Sequence, residues 1–380
     1  MRPRHAVRRL TMTNFRNYGS ARVTVDERPV LLTGANGAGK TNLLEALSFL
    51  APGRGLRGAA LGEVARRGGT PGTWSVAATL NGAGGPVEVG TGIAAEGRDP
   101  PRRRAVRIDG ADAASQADLA HCVTINWLTP EMDRLFDSGA SERRRFLDRL
   151  VGGFDRDHAA RVGRYERAMR ERNRILRDSG ARGDAAWLGA LETAMAETGV
   201  AVAAARRSLV GRLAAYCARA MGGFPAAALA VEGAVEEMLD GMPALAVEDA
   251  VRERLAALRR VDAEAGRTTF GVHRSDLACT DVARDRAASL CSTGEQKALL
   301  IRIVLAGAAL HADERGSAPI LLLDEVGAHL DRDRRAALFD AVLALGAQAW
   351  ITGTEPEAFA GLGDRAQRFA VADGALAPVA

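Results

Sequence analysis

Lysine is nearly absent from this chain of 380 residues, because only Lys40 and Lys297 are lysine among its 51 lysine and arginine residues. Arginine therefore supplies almost all of the positive charge. Each lysine becomes a candidate for a site that needs a compact, single-point ammonium group. Lys40 lies in a glycine-rich loop, which supports this interpretation, whereas Lys297 has no such surroundings and is treated as incidental.

Aromatic residues, long apolar runs and paired cysteines are also scarce. With 4% aromatic residues, a stacking platform for single-stranded bases is not expected. No apolar run approaches the ~18–20 residues of a membrane helix. The basic start, 1–9, leads into a polar stretch rather than the apolar core of a signal peptide. Four scattered cysteines without a C-x-x-C pair argue against a zinc site or a disulfide scaffold. We therefore expect a cytoplasmic protein without a membrane segment.

The remaining composition is that of an ordinary soluble protein. Hydrophobic residues make up 47% of the chain and charged residues 26%. The length predicts two or three packing units. A net charge of +4 permits contact with nucleic acid but does not demonstrate it.

Sequence patterns at both ends of the chain predict α/β structure. Predicted strands lie at 9–15, 21–25, 30–33, 320–324 and 348–352, and predicted helices at 42–50, 294–312 and 332–345. Residues 51–115 are rich in glycine and are predicted to form strands joined by loose loops. The middle of the chain is helical instead, from about Ser141, a predicted N-cap, through stretches at 156–178 and 185–221. We predict a lobe I with a mixed sheet and helices, formed by 1–125 and 266–380, and an inserted, mainly helical lobe II at 126–265.

A complete phosphate-binding motif, G-x-x-x-x-G-K-[ST], follows the predicted strand 30–33 and opens a helix. Its residues are Gly34, Ala35, Asn36, Gly37, Ala38, Gly39, Lys40 and Thr41. Glycines let backbone N–H groups converge on phosphate oxygens, and the helix N-terminus adds positive potential. Lys40 would reach the β- and γ-phosphates of ATP, and the Thr41 hydroxyl would ligate Mg²⁺.

Two carboxylates follow a second buried strand. The apolar run 320–323 ends in Asp324 and Glu325. On a parallel strand Asp324 would face the phosphate loop and help hold Mg²⁺, and Glu325 would be the general base that polarises the attacking water.

A second anion site is predicted at the start of an apolar helix. Ser292 is a natural N-cap, and Ser292-Thr293-Gly294-Glu295-Gln296 leads into that helix with free backbone N–H groups. Because Lys40 would already bind the phosphate at the first site, this second anion site suggests contact with another subunit.

The order of these motifs, followed by Leu330-Asp331, resembles that of ABC-type ATPase heads. Ser292 follows Lys40 by 252 positions, which is far more than in transporter ATPase subunits and opposes that alternative. Within the superfamily the chain is similar to the RecF family, which is related to Rad50 and SMC heads. The similarity covers nearly the full length, at 14–18, 34–46, 53–57, 141–148 and 273–277. The segments near the start and at 141–148 are the specific ones, whereas the ATP motifs alone would indicate only an ABC-type protein. A Rad50- or SMC-like structural arm remains the alternative, opposed by the short heptad stretch and the missing C-x-x-C hook.

The resemblance implies an ATP-gated two-fold dimer. ATP would contact Asn42 and Arg57 in addition to the phosphate loop, while Ser292 and Gly294 would contact the γ-phosphate of a partner's ATP. Asp331 would belong to the dimer-contacting loop. The resemblance also implies binding to duplex and gapped DNA in replication and recombinational repair, and work with RecO and RecR to load recombinase.

Two departures from the ABC pattern predict slow ATP hydrolysis, which the resemblance implies is stimulated by DNA. No glutamine stands near Thr129-Pro130-Glu131, where the Q-loop is expected, and Thr352 and Thr354 stand where a switch histidine is usual.

Five arginine clusters are candidates for DNA contact: 66–67, 102–104, 143–145, 206–207 and 259–260. Such runs are more often solvated surface. We single out Arg143, Arg144 and Arg145, because arginine opposes the helix dipole at a helix start and an external anion would explain it. Phosphate contacts would give little sequence preference and strong salt dependence.

Overall fold

The structure is a computed structural model that describes residues 5–70, 72–82, 85–93, 104–180, 183–327 and 330–379. The chain forms two compact units. The first contains Met1–Asp133, Ala220–Pro225 and Thr293–Ala380, and the second contains Arg134–Arg219 and Ala226–Ser292. The sequence predicts 266–292 as part of lobe I, whereas the structure places this segment in the second unit, where the strand Asp276–Asp281 pairs with the strand Ala227–Glu232.

The strands of the described chain are β1 (Ala6–Phe15), β2 (Tyr18–Thr24), β3 (Val30–Thr33), β4 (Trp74–Gly82), β5 (Gly85–Ile93), β6 (Ala105–Ile108), β7 (Ala111–Asp112), β8 (Ile125–Leu128), β9 (Ala227–Glu232), β10 (Asp276–Asp281), β11 (Arg286–Ala287), β12 (Ile320–Leu323), β13 (Ala349–Gly353), β14 (Gln367–Ala372) and β15 (Ala375–Val379). The helices are α1 (Lys40–Ser48), α2 (Ala140–Gly152), α3 (His158–Ser179), α4 (Ala185–Cys217), α5 (Ala234–Gly241), α6 (Ala244–Ala257), α7 (Arg259–Ala265), α8 (Thr293–Arg315) and α9 (Arg332–Leu345). No helix among the described residues has the length and apolarity to cross a membrane.

Two six-stranded sheets form the first unit. One is antiparallel, in the order β2-β1-β4-β5-β6-β7, and the other runs β15-β14-β3-β13-β12-β8. In the second sheet β14, β3, β13, β12 and β8 are parallel, and β15 is an antiparallel edge strand. Every residue of β12 is buried, as expected for an apolar run covered on both faces. Because parallel strands end at the same edge, the residues that follow β3, β12 and β13 lie near one another.

Buried side chains join the antiparallel sheet to α1 and to the second sheet. Phe15, Phe49 and Trp74 form an aromatic cluster with ring-centroid distances of 4.9–6.0 Å. The buried Gln348 amide accepts a hydrogen bond from Val7 N–H and donates to the Val7 carbonyl, with both distances 2.9 Å. This pairing satisfies both ends of the amide, so its burial carries little desolvation penalty.

The second unit is mainly helical but includes a three-stranded sheet, β11-β10-β9. Its helix α2 begins at Ala140 with Gly139 as the N-cap, so the prediction of Ser141 as the N-cap is wrong. Gly139 has extended backbone angles, and Ser141 already lies inside the first turn.

Buried ion pairs connect the helices of this unit. The Arg206 guanidinium makes two hydrogen bonds of 2.8 Å to Asp148, and His158 Nε2 lies 2.8 Å from Asp148 Oδ1. Burial alone would raise the pKa of Asp148, but the bonds from Arg206 and His158 outweigh it and hold that pKa at about 2.

We predict that the stabilisation from Asp148 depends on pH. Because folding lowers the pKa of Asp148, the stabilisation is fully present above its ordinary value of 3.8 and is lost as the pH falls towards 2. Asp148→Asn should lower the free energy of unfolding at pH 7 by about 2–4 kcal/mol, since it removes the carboxylate that Arg206 and His158 share and leaves Arg206 with the more distant carboxylate of Glu236, at 3.9 Å. Urea unfolding followed by circular dichroism measures this, with Asp157→Asn as an exposed control. A difference from the parent that stays constant between pH 7 and pH 3 would contradict the assignment.

Candidate nucleotide and magnesium site

The loop between β3 and α1 requires glycine at two positions. Gly34 has φ +152°, and a Cβ there would lie 2.2 Å from the Val371 carbonyl oxygen. Gly39 has φ +117°, and a Cβ there would lie 2.5 Å from the Asn17 side chain. A side chain at either position would displace the loop, so these glycines set its path.

Lys40 is the first residue of α1, and its side chain turns back over the loop. Its ammonium donates to the carbonyls of Gly34 and Ala35 at 2.7 and 2.9 Å. Burial lowers the pKa of Lys40, and the nearby charges of Glu325 and Asp324 partly offset this effect. The site therefore holds a partly desolvated cation whose charge an anionic ligand would stabilise.

Hydroxyl groups converge on Asp324 from two neighbouring elements. Thr41 donates to Asp324 Oδ1 at 2.9 Å, and Thr352 donates to the same oxygen at 2.8 Å. Thr352 Oγ1 also accepts the Glu325 backbone N–H at 2.8 Å. Glu325 has φ +48°, an uncommon value for a residue other than glycine, so the Thr352 bond helps to fix its backbone.

The donors at this edge suit a magnesium nucleotide. Thr41 and Asp324 offer neighbouring hydroxyl and carboxylate oxygens, the hard ligands that Mg²⁺ prefers. Gly37, at φ +82°, has no heavy atom within 4 Å of the position that a Cβ would take, so the loop leaves open space there. The predicted cofactors, ATP and Mg²⁺, therefore fit the residues that are present.

The turn between β1 and β2 supports the loop from behind. Tyr18 Oη donates to the Gly39 carbonyl at 2.9 Å, and Asn17 Nδ2 donates to the Ala38 carbonyl at 3.0 Å. Asn42 Nδ2 donates to Asn17 Oδ1 at 2.8 Å. The predicted ligand Asn42 is thus part of a network that holds the loop in place.

A buried carboxylate on α1 organises two arginines beside this network. Glu45 is fully buried. Arg16 makes two hydrogen bonds to its carboxylate at 2.6 and 2.8 Å, and Arg57 makes one at 2.9 Å. Arg57 also donates to Asn42 Oδ1 at 2.7 Å. Arg57, predicted to lie near the nucleotide, therefore contacts the helix that carries Lys40.

The remaining predicted site residues lie elsewhere in the chain. Helix α8 begins directly after Ser292, and Ser292 and Gly294 are exposed. By the division into compact units Ser292 belongs to the second unit and Gly294 to the first. Asp331 is the N-cap of α9, and its side chain accepts the Arg334 backbone N–H.

The arginine clusters are largely engaged within the chain. Arg143 makes two hydrogen bonds to Asp276 at 2.6 and 2.7 Å, and Arg144 donates to the Ser275 carbonyl at 2.6 Å. Arg145 is exposed and pairs with Glu142 at 2.7 Å. Arg102 and Arg103 lie outside the described residues. These contacts give Arg143 and Arg144 a structural role, and DNA contact at 143–145 stays a prediction.

Five residues of the site have no role predicted from the sequence: Arg16, Asn17, Tyr18, Glu45 and Thr352. Thr352 could have been found, because strands 320–324 and 348–352 are both predicted and parallel neighbours end at one edge. The roles of Glu45 and Asn17 depend on long-range contacts with Arg57 and the phosphate loop, for which the sequence carries no signal.

Comparison with known proteins identifies the family. Residues 6–373 match the family described as the RecF/RecN/SMC N terminal domain. The DNA replication and repair protein RecF of Allorhizobium ampelinum is 51% identical over 97% of this chain and 98% of its own length. Its counterpart from Mesorhizobium japonicum is 50% identical, over 98% and 97%. This chain belongs to the RecF family.

Solved structures agree with the fold. A structure of the recombination mediator protein RecF, described as RecF-ATPrS in the RecFOR pathway, has a TM-score of 0.85 and 20% identity, covering 100% of this chain and 99% of its own. An Smc head domain from Pyrococcus furiosus has a TM-score of 0.55 and 14% identity, covering 99% and 96%. The predicted ABC-type ATPase fold is therefore confirmed.

We predict that Glu45 stabilises the first unit strongly. Glu45→Gln should lower the free energy of unfolding by about 2–4 kcal/mol, because it leaves the two arginines without the buried charge that pairs them. Glu88→Gln is the matched control, since Glu88 pairs with Arg9 on the surface and such pairs contribute at most about 1 kcal/mol. Chemical denaturation of both variants gives the comparison, and equal effects would refute the importance of Glu45.

Proposed function

We propose that this chain is an ATP-dependent DNA-binding protein of replication and recombinational repair. The observation that carries the proposal is the convergence of Lys40, Thr41 and Asp324 at one edge of a parallel sheet. Family membership adds support, because the relatives are named DNA replication and repair protein RecF and solved RecF structures are described with ATP and ATPrS.

ATP would bind through the phosphate loop. The loop N–H groups and the α1 N-terminus would face the phosphates, and Lys40 would exchange its bonds to the Gly34 and Ala35 carbonyls for phosphate oxygens. Thr41 and Asp324 would hold magnesium. When bound, the ion supplies positive charge that offsets the charge of the phosphates.

Hydrolysis would be slow and subordinate to binding. Glu325 would orient and deprotonate the attacking water, with its backbone held by Thr352. Thr352 donates a hydrogen bond to Asp324, and its hydroxyl does not titrate near neutral pH as the side chain of a histidine would. ATP would then act mainly as a clamp ligand, and hydrolysis would reset the clamp.

The ATP-bound form would be a two-fold homodimer. Ser292 and Gly294 would contribute to the phosphate site of the partner copy, and one isologous contact would complete both sites. Closure would place the dimer on duplex DNA at gaps. The RecF resemblance further suggests cooperation with RecO and RecR in loading recombinase onto single-stranded gaps.

We predict that Lys40→Met abolishes ATP binding and leaves the fold intact. Among the described residues the ammonium bonds to two carbonyls of its own loop and forms no ion pair, so its removal deletes the phosphate contact without breaking one. Isothermal titration with Mg-ATP measures affinity, and circular dichroism checks folding. Arg260→Met is the control, because it removes an exposed cation of the second unit and should retain affinity. Normal affinity in folded Lys40→Met would reject the site.

Two further variants separate binding from assembly. Ser292→Arg should bind ATP through Lys40 yet lose ATP-driven dimerisation, because a bulky side chain would block the partner's γ-phosphate. Glu325→Gln should bind ATP, hydrolyse it at least about tenfold more slowly and remain dimeric. Light scattering with Mg-ATP and a phosphate-release assay test both.

Ser208→Arg adds the same side chain at an exposed position of α4 and should dimerise normally. The composite-site proposal fails if Ser292→Arg dimerises like this control, or if Glu325→Gln hydrolyses ATP at the parental rate.

A further inference from the structure

Adjacent arginines on a helix cannot share one face, because successive residues point about 100° apart. In the second unit, members of such pairs are engaged by carboxylates: Arg143 by Asp276, Arg206 by Asp148, Arg207 by Asp240 and Arg259 by Glu192. Runs of arginine in the sequence therefore do not identify the free positive surface of this unit.

Helix α3 carries arginines in a different pattern. Five exposed arginines follow one another at intervals of three or four residues: Arg164, Arg167, Arg170, Arg174 and Arg177. At 3.6 residues per turn this spacing places all five on one side of the helix. The buried residues of α3, which include Tyr165, Ala168, Arg172 and Leu176, occupy the opposite side. We call the exposed set the α3 arginine row.

Only part of this row is neutralised by neighbouring carboxylates. Arg170 pairs with Glu166, and Arg174 pairs with Glu171. Among the residues that the structure describes, Arg164, Arg167 and Arg177 have no carboxylate oxygen within 4.0 Å. The surface ion pairs of Arg170 and Arg174 contribute little to stability and exchange easily with solvent, so the whole row remains available to an external polyanion.

The length of the row matches a nucleic-acid backbone. From Arg164 to Arg177 the helix rises about 20 Å. A strand of B-DNA presents a phosphate about every 3.4 Å along its axis, so the row spans about six phosphates. None of the exposed large hydrophobic side chains of the described chain lies on α3. A protein partner would be expected to find an apolar centre in its interface, and single-stranded bases would need aromatic platforms, which α3 does not expose.

We propose that the α3 arginine row is a contact surface for the phosphate backbone of duplex DNA. This inference rests on the proposed function, because it locates part of the DNA contact that the function requires. It assigns that contact to periodic arginines on α3 in addition to, or in place of, the consecutive cluster at 143–145. The contact is electrostatic, so it confers no sequence preference and weakens as salt rises.

The test replaces the three arginines that have no carboxylate partner. The variant is Arg164→Gln, Arg167→Gln and Arg177→Gln, in which glutamine preserves helix propensity. The matched control is Arg252→Gln, Arg254→Gln and Arg260→Gln, which removes three exposed charges from α6 and α7 of the same unit. Binding to a gapped duplex with Mg-ATP is measured by fluorescence anisotropy across a range of salt concentrations, and ATP affinity is measured in parallel.

The row variant should bind duplex DNA at least about tenfold more weakly, with a log–log salt slope reduced by about 2–3, since each phosphate contact contributes about 1. Its ATP affinity and the DNA affinity of the control should stay at the parental level. Parental DNA affinity and slope in the row variant would overturn the inference, as would an equal loss in the control. If the parent itself does not bind the duplex, the proposed function fails instead.

Discussion

The contact between Thr41 and Asp324 is the constraint on which the candidate site depends. It joins the first turn of α1 to the end of β12, and it exists because β3, β13 and β12 run parallel and finish at one edge. Thr352, from β13, donates to the same carboxylate oxygen and so fixes the strand between them. Any change that shifts one strand along another would separate the hydroxyl from the carboxylate. The register of the buried sheet therefore controls the chemistry available at its edge.

A second layer of contacts holds the phosphate loop against the antiparallel sheet. Asn17 and Tyr18 bind loop carbonyls, and Glu45 ties Arg16, beside them, to Arg57. Glu45 has no exposed surface, so its charge depends on these two guanidinium groups. The same pairing that makes its burial tolerable also determines where Arg57 lies. The ion pairs of Glu45 therefore contribute both to the stability of the first unit and to the geometry of the site, and a change at Glu45 should affect both.

The sequence predicted the parts of the site that local pattern encodes. Gly34–Thr41 is contiguous, and Asp324 ends an apolar strand, so motif and periodicity were sufficient for both. The contacts of Glu45 and Asn17 join residues far apart in the chain, and no local pattern records them. The arginine clusters show the opposite case, in which a conspicuous local pattern does not identify a functional surface. The run 143–145 is conspicuous in the sequence, but a helix directs its three side chains to different sides, and Arg143 pairs with Asp276. Spacing, rather than adjacency, carries information about a helix face.

The choice of lysine over arginine follows from the same geometry. Lys40 fits its ammonium between two carbonyls of its own loop, where a planar guanidinium would have to direct five N–H donors. Lys297 is also buried, in the first turns of α8, and its ammonium lies 3.0 Å from Asp133, in the segment that follows β8. That segment is where the glutamine of an ABC-type head would stand and where this chain has none. Lys297 is therefore not incidental. It ties α8, which begins directly after Ser292, to the segment of the first unit that follows β8.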